Sequence, residues 1–370
     1  MSTVYRAGII GLSGIGMRRP APDLGGIIGD WMPHTHASAY AALPRTQVVA
    51  VCDLVSTKGD DFKTTWGDVW PDVRFYSDHR AMLAHEQLDI VSVVTSDFAH
   101  ADPVVDAANA GVKAIACEKP VATTLADADR MIAAVERNGT IMSVDHSKRW
   151  RPEWLRARAA VRTGAIGQLR TIVGSMGGGR SMLFRNGCHL IDSIVFFAES
   201  EPAWVMADLD DAFASYGPRY AADGGRDPMK DPALCGYVRF ANGVRAFINQ
   251  PRGGLRRFEL ELIGDGGILR IGETTGHAAH IWTDATGPED KLIAQHALNE
   301  AVYARRIVPA LPYTRSSVLG LLNELVLALD HGGTTTCPPR EARRTVEIIL
   351  GLLQPQHRGN VKLAMPVLDA

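Results

Sequence analysis

Short apolar runs alternate with longer amphipathic stretches over the first 145 residues. Residues 4–10, 47–52, 89–95 and 112–117 are rich in apolar and β-branched side chains, the pattern of strands buried on both faces. Helical spacing falls between them at 34–43, 77–86 and 100–110, and Gly111 stands where the last of these ends. Thr124 and Asp127 then pattern as a capping box for a further helix that Gly139 closes. This alternation predicts an α/β fold with a doubly wound Rossmann sheet. In the second half, 188–198 places apolar residues at 190, 191, 194, 195 and 198, a helix stripe turned to a core, with His189 and Asp192 on the other face. Residues 235–249, 257–263 and 267–271 read as sheet strands, with turn signals at Asn242-Gly243 and at 264–267. Helices at 315–331 and 340–353 are predicted to close that domain. The expected organisation is a dinucleotide-binding domain over 1–145 and a substrate-binding and oligomerisation domain over 146–370.

Composition narrows the class. A chain of 370 residues is long for one core. Its net charge of −2 gives no reason to expect nucleic acid or an anionic membrane as partner. Five scattered cysteines without a CxxC spacing point to reduced, mostly buried thiols and a cytoplasmic setting. No apolar stretch reaches the roughly 20 residues of a membrane span. No basic-then-apolar leader pattern precedes the first strand, and Arg18-Arg19 follows it, against a twin-arginine export signal.

Chemistry enters at the strand ends. The first run leads into Gly11-Leu12-Ser13-Gly14-Ile15-Gly16, a variant of G-x-G-x-x-G. In that fingerprint the first glycine makes the turn, the second admits the pyrophosphate and the third lets helix and strand pack. Gly11 and Gly16 fit; Ser13 holds the middle place, with Gly14 beside it to share the duty. Asp53 closes the second strand, where an acid accepts ribose hydroxyls and repels the 2′-phosphate of NADP, so NAD is expected over NADP. Gly16 and Asp53 are 37 residues apart, against about 20 usually. The excess lies in 17–34, a Pro- and Gly-rich loop that either covers the cofactor, reaches a neighbouring subunit or is a surface excursion. A second long loop is expected over 210–233.

Glu118-Lys119-Pro120 ends the fourth run. Proline restricts the residue before it, so the Lys119 ammonium is aimed rather than free. A lysine beside a cationic nicotinamide suits proton handling. His34 with His36, and Cys188 with His189, lack a third ligand at suitable spacing, so no metal is predicted.

The chain resembles the Gfo/Idh/MocA oxidoreductases. The resemblance rests on the glycine turn, His36-Ala37-Ser38-Ala39-Tyr40, 49–53 ending in Asp53, Thr95 with His100, Glu118-Lys119-Pro120, Arg149-Trp150-Arg151-Pro152, 164–167 and Gly187-Cys188-His189 with Asp192. It implies a second domain built on a large open, mostly antiparallel sheet, and a cis Lys119-Pro120 bond. It further implies a homodimer or homotetramer packed through that sheet, and a sugar, polyol or cyclitol substrate. Lys119 and His189 become the catalytic candidates, and Gly11, Ser13, Gly14, Ile15, Gly16, Asp53, Thr95, His100 and Glu118 the cofactor-binding ones. Lys119, Arg149, Arg185, Asn186, His189 and Asp192 are the candidates for contact with substrate. Arg185 stands where many members carry Asp or Asn, four residues before the histidine; an arginine cannot act as a base there. That departure keeps open an NAD-dependent glycosidase or lyase working by transient oxidation and elimination. A nucleotide-sensing repressor of the same fold is the non-enzymatic alternative.

Overall fold

The computed structural model describes residues 3–20, 33–179, 183–209, 232–284, 303–309, 316–354 and 361–366. Most of the two predicted loops, 21–32 and 210–231, lies outside the described residues. The chain divides into two compact units, the first running to Arg151 and taking up Pro312–Val346 as well.

In the first unit, β1 (Tyr5–Ile10), β2 (Thr46–Cys52), β3 (Arg74–Tyr76), β4 (Ile90–Val93), β5 (Ala114–Cys117) and β6 (Ile141–Val144) make a parallel sheet. Its order is β3-β2-β1-β4-β5-β6. The order reverses between β1 and β4, and the carboxyl ends of strands at such a reversal form the ligand crevice of doubly wound sheets. The connecting helices are α1 (Gly14–Met17), α2 (His36–Ala42), α3 (Thr57–Trp66), α4 (His79–His85), α5 (Ala101–Asn109) and α6 (Leu125–Asn138). The α6 cap is the predicted one: Thr124 Oγ1 accepts the Asp127 N–H and donates to the Asp127 carboxylate, and Gly139 ends the helix at φ 65°.

The core of this unit joins Ile9, Val48, Val51, Ile90 and Ala116 from the sheet to Tyr40 and Phe62 from the helices. It also takes Val318, Leu321, Leu322 and Leu325 from α9 (Ser317–His331). The sequence assigns that helix to closing the second domain, but its apolar stripe completes the first core. Asp330 near its end fastens it, accepting the Tyr5 hydroxyl at 2.7 Å and the Arg45 guanidinium.

The second unit carries α7 (Pro152–Arg162), β7 (Leu169–Gly178), α8 (Gly187–Ala198), β8 (Pro202–Leu209), β9 (Leu234–Phe240), β10 (Arg245–Gln250), β11 (Gly253–Gly264), β12 (Gly267–Gly272), β13 (Ala279–Asp284), β14 (Tyr303–Val308) and β15 (Leu363–Ala364). Its sheet runs β14-β13-β12-β11-β7-β10-β9-β8-β15, antiparallel except for the β7–β10 pair. A last helix, α10 (Pro339–Leu353), spans the point where the chain passes between the two units. α8 lies against β7, where Gly174 makes room for it: a Cβ there would sit 3.1 Å from Ile194 Cδ1. The predicted apolar stripe on α8 understates its burial, because the face bearing Asp192 is buried too.

Period-two alternation gives the sheet a second face. Trp204 and Met206 on β8, Tyr237 on β9 and Phe247 on β10 point away from the buried set Val205, Ala207, Val238, Ala246 and Ile248. The Trp204 and Tyr237 rings stack at 4.7 Å between centroids, and Phe247 meets Tyr237 edge-on at 5.1 Å. Among the described residues no helix is long and apolar enough to cross a membrane. All five cysteines are free thiols, and Cys235 alone of them is exposed.

Candidate active site

The chain leaves β1 through Gly11 at φ +99°, a conformation L side chains rarely adopt. A Cβ at Gly11 would lie 2.5 Å from the Val94 carbonyl oxygen, so backbone closeness excludes a side chain as well. At the far end of the turn, a Cβ at Gly16 would lie 2.4 Å from the Gly11 oxygen. Between these closed ends Ser13, Gly14 and Ile15 are exposed, and nothing lies within 4 Å of a Cβ placed on Gly14. Ser13 sits at φ −73°, ψ −179°, extended backbone open to any residue, so the backbone conformation does not itself demand a glycine at the middle place of the fingerprint. A tight turn with an open tip at the strand-order reversal fits a dinucleotide pyrophosphate.

Asp53 follows β2 and its carboxylate turns back on the same loop, accepting the Leu12 N–H at 2.8 Å and the Val55 N–H at 2.9 Å. The next residues, Leu54, Val55 and Ser56, are exposed and bring no arginine to the place a 2′-phosphate would need.

β4 and β5 deliver the next group. Thr95 Oγ1 donates to the Ala99 carbonyl at 3.1 Å. His100 is buried with Nδ1 2.9 Å from the Pro120 oxygen and Nε2 3.2 Å from the Thr95 oxygen, so it ties the two strand-end loops together. Burial pushes its imidazole below the ordinary histidine range. The Lys119-Pro120 bond is cis, as the resemblance implies.

Glu118 is buried behind Lys119. Burial alone would raise its carboxyl, but the His36 ring, the Lys119 ammonium and the Lys119 N–H together hold it below the usual value. His36 opens α2, with Nε2 3.4 Å from Glu118 Oε1 and Nδ1 2.9 Å from Ser92 Oγ. Tyr40, one turn on, places its hydroxyl 2.8 Å from the same Ser92 oxygen. The family-like run 36–40 is therefore a buried polar support for the strand end that carries Lys119.

Sequence analysis missed Asp145. It ends β6 as Asp53 ends β2, an acid directly after an apolar run, and that parallel was the available signal. Its N–H donates to the Cys117 carbonyl at 2.9 Å, placing it beside Glu118. One oxygen each of Asp145 and Glu118 and a ring nitrogen of His36 lie within 4.8 Å of one another. Burial, then the Glu118 charge, push the Asp145 carboxyl well above the usual range. Two carboxyl groups from distant positions in the sequence thus stand beside His36 in the fold.

Arg149 belongs to the first unit and is fully buried. Its guanidinium donates to the Thr336 carbonyl at 3.1 Å and pairs with Glu341. These contacts give it a structural task, tying the end of the Rossmann segment to the returning chain. The remaining candidates sit together in the second unit at the start of α8. Arg185 and Asn186 are half-buried, and His189 donates its N–H to the Asn186 carbonyl at 3.0 Å. Asp192 is one turn after His189 and buried.

Known proteins agree with this architecture. A family profile described as an oxidoreductase family with an NAD-binding Rossmann fold, GFO_IDH_MocA, matches residues 25–146. A D-apiose dehydrogenase of Paraburkholderia graminis is 40% identical over 144 residues, 39% of this chain and 37% of that protein. An inositol 2-dehydrogenase of Salmonella paratyphi B is 29% identical over 167 residues, 44% of this chain and 43% of that protein. The chain thus spans less than half the length of these curated relatives. An oxidoreductase from Agrobacterium radiobacter, solved in complex with NAD+, L-tartaric acid and magnesium, superposes with a TM-score of 0.74 over 98% of both chains at 18% identity. The profile match begins after the glycine turn and takes in Asp53 and Glu118-Lys119-Pro120, and the structural likeness covers 98% of the chain. Over residues 25–146 the chain is thus similar to the Gfo/Idh/MocA oxidoreductases, and over its length it shares the fold of the solved oxidoreductase.

Proposed function

We propose that this protein is an NAD-dependent dehydrogenase that oxidises a secondary hydroxyl of a sugar, glycoside or cyclitol. The observation that carries the reading is Lys119 at the carboxyl end of β5, backed by buried Glu118, in the sheet whose β1 end presents the open glycine turn. Gly11, Ser13, Gly14, Ile15 and Gly16 would hold the pyrophosphate and Asp53 the adenosine ribose. Asp53, with no arginine after it, favours NAD over NADP. Bound nicotinamide would accept the hydride. The chain's own task is the proton: a half-buried lysine beside a carboxylate suits taking and returning the hydroxyl proton, and His189 is the second candidate base. Arg185, Asn186 and Asp192 are our candidates for substrate contact. The burial and ion pair of Arg149 lead us to assign it to structure instead. Relatives that act on D-apiose and inositol support the substrate class.

We also infer a homo-oligomer packed through the outer face of the second sheet, where Trp204, Met206, Tyr237 and Phe247 gather apolar surface. The test of function is the reduced-nicotinamide absorbance band with purified protein, NAD and a panel of sugars, glycosides, inositols and sugar acids. Growth with one group supports the dehydrogenase. No growth, with release of an aglycone or a dehydrated product, replaces it by redox-assisted cleavage, the reading that Arg185 in place of an acid keeps open.

A further inference from the structure

In the second unit, β10 alternates exposed and buried positions from Arg245 to Gln250, so Gln250 ends the strand on the buried face with Ala246 and Ile248. That face is the one α8 covers. Ile248 pairs with Gly174 of β7, and a Cβ on Gly174 would lie 3.2 Å from Leu190 and 3.1 Å from Ile194 of α8. Gln250 stands one row further along. Its partner on β9 is Leu234, and on its other side the row continues through Met176 of β7 and Phe258 of β11, all of them buried.

In this apolar row Gln250 is itself fully buried, and neither Oε1 nor Nε2 has a hydrogen-bond partner among the described residues. A dry, unpaired amide costs stability, and a methionine of similar size would fill the place without that cost. Such a group is a place for a bound molecule to supply the partners.

The candidates for substrate contact pass the same sheet end. The chain leaves β7 at Gly178 and enters α8 at Gly187. Between them the Leu183 N–H donates to the Pro232 carbonyl at 3.0 Å, two residues before Leu234. Arg185 and Asn186 follow, and then the first turn of α8 with His189. The chemistry of the amide narrows the ligand. It carries an acceptor and donors on one planar group, and a vicinal diol matches both: one hydroxyl accepts from Nε2 while its neighbour donates to Oε1. An ionised carboxylate only accepts and would oppose Oε1.

We propose that Gln250 is a substrate-contact residue that selects an uncharged ring with two adjacent hydroxyls, held through both atoms of its amide. The inference rests on the dehydrogenase reading and deepens it, but its test needs no hydride transfer.

The test uses protein saturated with NADH, where a hydroxyl substrate binds without reacting because both are reduced. Thermal melts of the wild type, Gln250→Met and Gln250→Leu are followed with myo-inositol, D-glucose and D-xylose as probes. Without probe, Gln250→Met should melt no lower than the wild type, since no protein partner is lost. The probe that stabilises the wild type should be needed at about tenfold to a hundredfold higher concentration by Gln250→Met. Deoxy forms of that probe should bind the wild type about tenfold more weakly at two adjacent positions, and bind Gln250→Met there within about twofold of the parent probe. Variants that bind the probe as the wild type does, while melting lower, would give the amide a buried water or a structural partner only and overturn the proposal. So would failure of both variants to fold, or a wild type that none of the three probes stabilises. NADH formation in the absorbance assay alongside any of these contrary results keeps the dehydrogenase and removes Gln250. The expected binding pattern without NADH formation keeps Gln250 and removes the dehydrogenase.

Discussion

The Asp53 carboxylate reaches from the end of β2 to accept the Leu12 N–H at 2.8 Å, while its other oxygen accepts the Val55 N–H at 2.9 Å. One side chain thus fixes the glycine turn and still has lone pairs for ribose hydroxyls, since a carboxylate offers about four acceptor sites. Asp53→Ala is expected to lower NADH affinity by roughly 1–3 kcal/mol and to raise the relative affinity for NADPH. Fluorescence titration with both nucleotides checks this; an unchanged preference would separate Asp53 from the ribose.

Two glycines of the turn should behave in opposite ways. Gly11→Ala meets a positive φ and a carbonyl oxygen at 2.5 Å, so the fold should lose roughly 2–4 kcal/mol. Gly14→Ala meets open space on a helical backbone and should change stability by less than about 0.5 kcal/mol while weakening NAD binding. Thermal melts with and without NAD distinguish the two. A stable Gly11→Ala, or a Gly14→Ala that binds NAD normally, contradicts the assignment of the tip to the cofactor.

The tie between α9 and the Rossmann sheet predicts a pH dependence. Hydrogen bonds from Arg45, then Tyr5, lower the Asp330 carboxyl from 3.8 to about 2. The folded state therefore holds the carboxylate more firmly than the unfolded one. Its contribution is complete above 3.8 and is lost as pH falls toward 2. The melting difference between wild type and Asp330→Asn should be constant above about pH 5 and should close as the medium is acidified through that window. A difference independent of pH would show that the tie does not titrate.

How much of this was legible in the sequence depends on the range of the interactions. β1, β2, β4 and β5 are continuous apolar runs, and α6 announces itself through Thr124 and Gly139; each signal is local. β3 has three residues and β6 is interrupted by Ser143, too short for periodicity to register. The glycine turn, Asp53 and Lys119 lie on motifs with fixed spacing. Asp145 and the support of His36 by Ser92 depend on strands far apart in the chain, and Arg149 looks like a cleft residue until its Glu341 partner, nearly 200 positions on, is in view. The apolar stripe of α9 marks a helix but does not say what it packs against, and it packs in the first core.

The outer sheet face gives a separate expectation. Tyr237→Asp or Phe247→Asp puts a charge in the Trp204–Tyr237–Phe247 cluster and should dissociate the oligomer. Sedimentation velocity on the wild type and both variants checks it. A wild type that sediments as a monomer, or variants that stay assembled, would remove this face from the account.

The central claim is that Lys119 handles the reacting proton on a chain that binds NAD through other residues. The direct test is NADH formation by wild type, Lys119→Ala and Lys119→Arg with the responding substrate, alongside NAD affinity. Lys119→Ala should lose on the order of 10²–10⁴ in kcat while binding NAD as the wild type does, and Lys119→Arg should fail as well because arginine stays protonated. Near-normal turnover by Lys119→Ala would contradict the account.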